Sequence, residues 1–142
     1  MEALSPHLSW AELACRDGTP YPPAWEDRAR RLAAVFEDFR AALGGDPVVI
    51  GSAYRTPAWN RRCGGAAQSQ HVQGRALDCY PPAAMFLGAF RDHAKAFALE
   101  DDRIGGIGFY RWGVHWDIRP RGPRLIVWNQ VPAGTRLHER RA

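Results

Sequence analysis

The spacing of hydrophobic residues along the chain predicts two amphipathic helices. From Pro23 to the pair Gly44-Gly45, apolar side chains recur at steps of three and four, which is the period of one helical face. A second stretch of this kind runs from Pro82 to about Leu99. The residues predicted to face the interior are Trp25, Ala29, Leu32, Phe36, Phe39 and Leu43 in the first helix, and Phe86, Leu87, Phe90, Ala94 and Phe97 in the second.

Short apolar runs bounded by Gly and Pro predict a small sheet. The strands are expected at Val48–Ile50, Ala76–Cys79, Ile107–Tyr110, Val114–Ile118 and Leu125–Trp128, the last three being antiparallel. Short helices are predicted at Ser9–Glu12, which has the pattern of a capping box, and at Pro57–Arg62. The order of elements is typical of an α+β domain with N-terminal helices packed on a small antiparallel sheet. We expect one domain over residues 1–131 and a polar C-terminal tail over residues 132–142.

The composition fits one packed core and a basic surface. The 142 residues are 46% hydrophobic, and the net charge of +4 comes almost wholly from arginine, with 18 Arg against the single Lys95. No nucleic-acid motif accompanies this charge, and the three cysteines form no Cys-x-x-Cys pair, so we expect buried free thiols rather than disulfides. We find no secretory signal and no bilayer-spanning stretch, and we expect a monomer that binds no nucleic acid and does not insert into a membrane.

His71 and Asp78 lie in a local context that suits two ligands of one metal ion. Gly74 permits a tight chain reversal after His71, and the strand predicted at Ala76–Cys79 then carries the Asp78 carboxylate back toward the imidazole. Imidazole nitrogen and carboxylate oxygen both suit tetrahedral zinc. The sequence therefore indicates that one turn supplies two metal ligands.

His115 is the candidate for a third ligand. In Val114–Ile118 the period of two places His115 and Asp117 on the polar face of a strand, with the apolar residues on the other face. Three protein ligands leave one zinc position open for water, as in catalytic sites. An alternative is the facial triad of an iron-dependent oxygenase, made by His115, Asp117 and His138, but it gives His71 and Asp78 no role.

These motifs resemble a known family of enzymes. The chain has Ser-x-His with Asp seven residues after the His (Ser69 to Asp78), Ser-Ala-Tyr-Arg-Thr-Pro at Ser52–Pro57, and Val-His-x-Asp at Val114–Asp117. Together they resemble the zinc D-alanyl-D-alanine carboxypeptidases and related peptidoglycan peptidases, the peptidase M15 family. Further likeness to its small single-domain branch lies at Leu4–Leu8, Cys15–Gly18 and Gly105–Tyr110, so the similarity spans roughly residues 4–128. The resemblance implies a Hedgehog/DD-peptidase-like fold.

The same resemblance implies roles for individual residues. His71, Asp78 and His115 would bind one zinc ion, and the Arg55 guanidinium would stabilise the oxyanion formed during amide hydrolysis. Ser69 matches a serine that hydrogen-bonds the substrate. The alternatives are a surface arginine in a loop and a serine that only stabilises a turn.

The general base departs from the family pattern. Several members place an acid or a histidine three residues before the last zinc ligand, where this chain has Trp112. We predict Asp117 as the catalytic base in its place, because strand alternation directs it to the same side as His115; orienting a ligand or pairing with Arg119 or Arg55 is the equal alternative. Of the aromatic residues, we expect one or two to face the cleft, and Tyr110 to bind substrate.

The sequence thus predicts a zinc metallopeptidase that hydrolyses an amide bond in peptidoglycan stem peptides or cross-links. Whether it acts as a carboxypeptidase or as an endopeptidase stays open. The alternative is a non-catalytic peptidoglycan-binding module that retains the fold. Without a signal peptide, we expect synthesis in the cytoplasm and access to the cell wall by an endolysin-like, phage-type or other non-signal route.

Overall fold

The computed structural model of the protein describes residues 2–131, and the predicted polar tail over 132–142 lies outside them. The helices are α1 (Trp10–Leu13), α2 (Glu26–Ala42), α3 (Pro57–Arg62) and α4 (Leu87–Glu100), with a 3-10 turn at Pro23–Trp25. The strands are β1 (Ala3–Ser5), β2 (Leu8–Ser9), β3 (Val49–Ser52), β4 (Ala76–Tyr80), β5 (Gly106–Tyr110), β6 (Gly113–Asp117) and β7 (Ile126–Asn129). This arrangement confirms the predicted α+β class.

The main sheet has the strand order β3-β4-β6-β5-β7 and is mixed. The prediction that the last three strands are all antiparallel is wrong, because β7 runs parallel to β5. The reason lies in how the strands pair and in where the chain leaves β6. Strand β6 pairs with β4 on one side and β5 on the other, and β7 joins the outer edge of β5. The chain leaves β6 at Asp117, opposite the start of β5 at Gly106, so β7 begins at that same end.

The start of α4 also differs from the prediction. Pro82 accepts a turn hydrogen bond from Met85, and Phe86 has an extended backbone, so the helix begins only at Leu87. Phe86 is 44% exposed and does not belong to the inner stripe. By contrast, the capping box of Ser9 with Glu12 is present as predicted, and α2 matches its predicted range closely.

Two further apolar residues lie at the surface, namely Cys63, predicted to be buried, and Val49, in the apolar run expected to form a strand. Val49 is 51% exposed, because it alternates with the buried Val48 and Ile50 on an edge strand. Cys63 is exposed directly after α3, whereas Cys15 and Cys79 are buried, and all three thiols are free. None of the described helices combines the length and the hydrophobicity needed to span a bilayer.

The sheet has one face covered by helices and one face left for a site. Helices α2 and α4 pack against the covered face, where Phe39 contacts the rings of Phe90, Phe97 and Trp116 at centroid distances of 6.1, 5.6 and 5.8 Å. Strands β4, β5 and β6 supply alternate residues to this core, namely Leu77, Cys79, Ile107, Phe109, Val114 and Trp116. The residues between them in sequence therefore point to the opposite face.

Candidate metal centre and cleft

Strand pairing brings two of the predicted ligands together on the uncovered face. Asp78 of β4 lies directly opposite His115 of β6 in the antiparallel register, so their side chains are neighbours. His71 lies in a turn before β4, and its carbonyl oxygen accepts a hydrogen bond from Arg55 N at 3.1 Å, which ties this turn to the segment after β3. All three side chains are buried. Among the described residues, they form a group able to hold a metal ion.

The three donor atoms have the spacing of a tetrahedral metal site. His71 Nε2 lies 3.0 Å from Asp78 Oδ1, and His115 Nδ1 lies 3.1 Å from Asp78 Oδ1 and 3.2 Å from His71 Nε2. Zinc bonds of about 2.05 Å at the tetrahedral angle place ligand atoms about 3.3 Å apart. The observed triangle is therefore close to the size that zinc needs.

Hydrogen bonds behind the imidazoles fix which ring nitrogens face the centre. His71 Nδ1 donates to the carbonyl oxygen of Ala53 at 2.6 Å, and His115 Nε2 donates to Asp117 Oδ2 at 2.8 Å. Because a carbonyl or a carboxylate only accepts, the other nitrogen of each neutral ring carries a lone pair. Two lone pairs and a carboxylate oxygen then converge, and one metal cation between them would be bound by all three. The residues present thus fit a bound divalent metal.

The electrostatics of the cluster keep its carboxylate ionised. Burial opposes the charged form of Asp78, but its polar contacts with the His115 and His71 rings outweigh this effect and hold the pKa of Asp78 well below its ordinary value. Burial lowers the pKa of His71. Burial acts in the same direction on His115, yet its contacts with Asp117 and Asp78 raise the pKa of that ring. A negative charge is therefore fixed at the centre of the group.

Arg55 lies beside the cluster, and its guanidinium is held on three sides. Nη2 contacts Asp78 Oδ2 at 3.3 Å, Nε donates to Ser52 Oγ at 3.0 Å, and Nη1 donates to Asn60 Oδ1 at 3.3 Å. Asn60 is almost fully buried on α3 and also donates to the Ala66 carbonyl at 2.8 Å. This arrangement fixes a positive charge at the edge of the metal cluster.

Asp117 does not share the cleft with His115, which corrects the prediction that it faces the same cleft. Its side chain is fully buried behind the His115 ring. One carboxylate oxygen accepts from His115, and Arg119 donates to both oxygens, with Nε to Oδ1 at 2.7 Å and Nη2 to Oδ2 at 2.8 Å. These contacts are those of a group that orients a ligand, the alternative to a proton shuttle.

A cleft of about 560 Å³ opens over the cluster. Its lining includes the three cluster residues together with Arg55, Ser69, Tyr110, Trp112, Arg119 and Trp128. Three aromatic residues thus face the cleft, where one or two were expected, and Trp112 is among them. Trp116 lies in the core instead. Ser69 Oγ accepts from His71 N at 3.2 Å, so this serine also supports the turn that carries the ligand.

Sequence reasoning missed Ser52 and Asn60, which anchor Arg55. Neither residue stands at a ligand spacing, and both act only through side-chain contacts made in the folded chain. The local signal in this segment was Thr56 followed by Pro57, a pattern that marks the start of α3. The position of Asp117 behind the His115 ring disfavours the iron-triad alternative, whose third member, His138, lies outside the described residues.

The comparisons with known proteins agree with this geometry. A buried cluster of two histidines and one aspartate, able to hold a metal ion and lying beside Arg55, first defines a candidate metal centre. The family model described as Peptidase M15 matches residues 6–117, which is more than half of the chain and includes all three cluster residues. The chain therefore belongs to the peptidase M15 family. The search among curated proteins gave no match.

Proposed function

We propose that the protein is a zinc metallopeptidase that hydrolyses an amide bond in the stem peptides or cross-links of peptidoglycan. The observation that supports this best is the convergence of His71 Nε2, Asp78 Oδ1 and His115 Nδ1 at 3.0–3.2 Å on the floor of an open cleft. When bound there, zinc would polarise a carbonyl and activate water near neutral pH.

The charged residues around the cluster have roles that follow from their contacts. The Arg55 guanidinium, held by Ser52 and Asn60, presents a fixed positive charge at the edge of the site, where an oxyanion develops during hydrolysis. Asp117 and Arg119 hold His115 in the tautomer that directs Nδ1 into the site. We therefore assign Asp117 a positioning role rather than that of the general base.

Ser69 and Tyr110 are proposed to contact the substrate peptide, since both line the cleft. The protein would act on cell-wall peptide as a monomer, and it would reach the wall by a phage-type or other route. Which amide bond is cut follows from the products of defined muropeptides, read by mass spectrometry after incubation with zinc-loaded protein.

Removing a ligand tests the metal assignment. We predict that His71→Ala and Asp78→Ala each weaken zinc binding by more than about 100-fold, beyond the range expected for changes outside the ligand set, and abolish hydrolysis. Zinc content after dialysis and release of new amino groups from muropeptides measure the two effects. His93→Ala, an exposed histidine on α4, is the matched control and should keep both. Full zinc content and activity in either ligand variant would contradict the proposal.

A second candidate function is a non-catalytic peptidoglycan-binding module. It is favoured by one observation: apart from Asp78, the lining of the cleft within the described residues includes no carboxylate, and Trp112 stands where a base is common in the family. Cosedimentation with sacculi in the absence of any turnover on muropeptides would select this module over the enzyme.

A further inference from the structure

Trp128 occupies the cleft because the opposing residue is glycine. In the parallel pairing of β5 and β7, Trp128 lies opposite Gly108, and a Cβ on Gly108 would overlap Nε1 and Cε2 of the indole. Gly108 has no positive φ, so close packing against this ring accounts for the absence of a side chain. The indole lies beside the imidazole of His115, with 5.1 Å between ring centroids. It therefore forms the cleft wall next to the metal cluster.

A hydrogen bond links this indole to Tyr110. Trp128 Nε1 donates to Tyr110 Oη at 2.8 Å. Because an indole N–H only donates, the phenol oxygen is the acceptor in this bond, and its own O–H remains able to donate. Among the described residues, no side chain or carbonyl is seen to accept that O–H. The Tyr110 ring is also stacked on Trp112, with centroids 4.7 Å apart and an angle of 15°.

Trp128 contributes little to the core of the domain. It lies on the outermost strand, and its neighbours Ile126 and Val127 are 50% and 45% exposed. The packed core is on the opposite face of the sheet, against α2 and α4. The contacts of the Trp128 indole are instead with Gly108 of β5 and with the cleft residues Tyr110, His115 and Arg119.

We propose that Trp128 is a positioning residue that acts through Tyr110. By occupying an acceptor site of the phenol oxygen, it turns the Tyr110 O–H toward the cleft, where this group donates a hydrogen bond to a carbonyl oxygen of the bound peptide. The inference rests on the proposed function, since it names the contact by which the same cleft holds its substrate.

A double-mutant cycle tests this coupling. Trp128→Phe removes the indole donor and Tyr110→Phe removes the hydroxyl, and each should lower kcat/KM for a pentapeptide-stem muropeptide by about three- to tenfold, the worth of one hydrogen bond. If Trp128 acts through Tyr110, the double variant should be no worse than Tyr110→Phe alone. Multiplying losses would overturn the proposal. Equal zinc content in all variants excludes an effect on the metal.

Two matched variants sharpen the cycle. Trp10→Phe makes the same chemical change on α1, outside the cleft lining, and its effect should multiply with that of Tyr110→Phe. Gly108→Ala displaces the indole while both aromatic residues remain, and it should reproduce the loss seen for Trp128→Phe. Gly108→Ala with wild-type kcat/KM would contradict the inference.

The cycle separates this inference from the proposed function. If the wild type turns over muropeptides but the two losses multiply, only the role of Trp128 fails. If the wild type binds the muropeptide without turnover, the same cycle is measured as binding affinity by calorimetry, and additive losses again overturn the inference. If the zinc-loaded wild type neither binds the muropeptide nor turns it over, both this inference and the proposed function are wrong.

Discussion

Asp117 influences the metal cluster from behind the His115 ring. Its carboxylate is buried, accepts a hydrogen bond from the Nε2–H group of His115 and forms an ion pair with Arg119. Burial disfavours the charged carboxylate, but the hydrogen bonds from Arg119 and His115 outweigh it and lower the pKa of Asp117 below its ordinary value. An ionised carboxylate here holds the imidazole in one tautomer and makes it a better ligand.

Asp117→Asn should weaken zinc binding by about 10- to 100-fold, because the charge behind His115 is lost while the ligand itself remains. Competition with a chelator measures the dissociation constant. Asp92→Asn, an exposed residue on α4, is the control and should bind zinc as the wild type does. Unchanged zinc affinity in Asp117→Asn would remove the positioning role assigned to this carboxylate.

At the level of residues, the sequence predicted what local pattern can encode. The turn after His71 brings Asp78 back toward the imidazole, and strand alternation places His115 on the same face of the sheet. Alternation also placed Asp117 beside His115, but it could not tell a carboxylate open to the cleft from one closed off by Arg119. That distinction depends on the loop after β6, whose course no local rule specifies.

Among the elements, the turn that carries His71 is the one on which the site depends most. Gly74 ends this turn with φ +66°, and the Tyr21 hydroxyl donates to its carbonyl oxygen at 2.8 Å. A Cβ on Gly74 would lie 2.8 Å from the Tyr21 oxygen and 3.0 Å from the Trp25 ring. The turn is therefore packed against the segment that precedes α2.

Gly74→Ala should destabilise the fold by more than the conformational cost of a positive φ and should also weaken zinc binding. Gly44→Ala isolates that cost, since Gly44 has φ +90° with open space around it, and about 1 kcal/mol is expected there. Urea unfolding compares the two variants. Equal free energies of unfolding for the two variants would show that Tyr21 and Trp25 move away from the new Cβ at no energetic cost.

Elements that depend on local signals were predicted well, and those that depend on neighbours were not. The 3.6-residue period and the terminal glycines defined α2, and the capping box defined α1. The direction of β7 could not be predicted, because it depends on which strand β7 joins and on the end of the sheet at which the chain leaves β6. The late start of α4 depends on the turn that Pro82 closes with Met85.

Across the whole molecule, the metal cluster joins segments that are distant in sequence. His71 precedes β4, Asp78 lies within it and His115 lies on β6, so a bound ion would cross-link the sheet to the turn that Arg55 also contacts. Binding to the folded state alone raises the free energy of unfolding by RT ln(1 + [L]/Kd). Stability and metal occupancy should therefore rise together.

Zinc at about 100 times its dissociation constant should add about 2.7 kcal/mol to the free energy of unfolding and raise the Tm by roughly 10 °C. Differential scanning calorimetry with zinc and with a chelator measures the shift. The Tm of Asp78→Ala should be the same with zinc and with the chelator. A wild type with the same Tm under both conditions would argue against a metal bound by the folded cluster.

Cys63 gives this molecule a practical property. Its thiol is exposed at the rim of the cleft, whereas Cys15 and Cys79 are 3% and 0% accessible. A maleimide fluorophore added to the native protein should attach at this one position, because alkylation needs an accessible thiolate. The unmodified sequence thus offers a single labelling position at the entrance of the cleft. The fluorescence of a label there should report the binding of a peptide in real time.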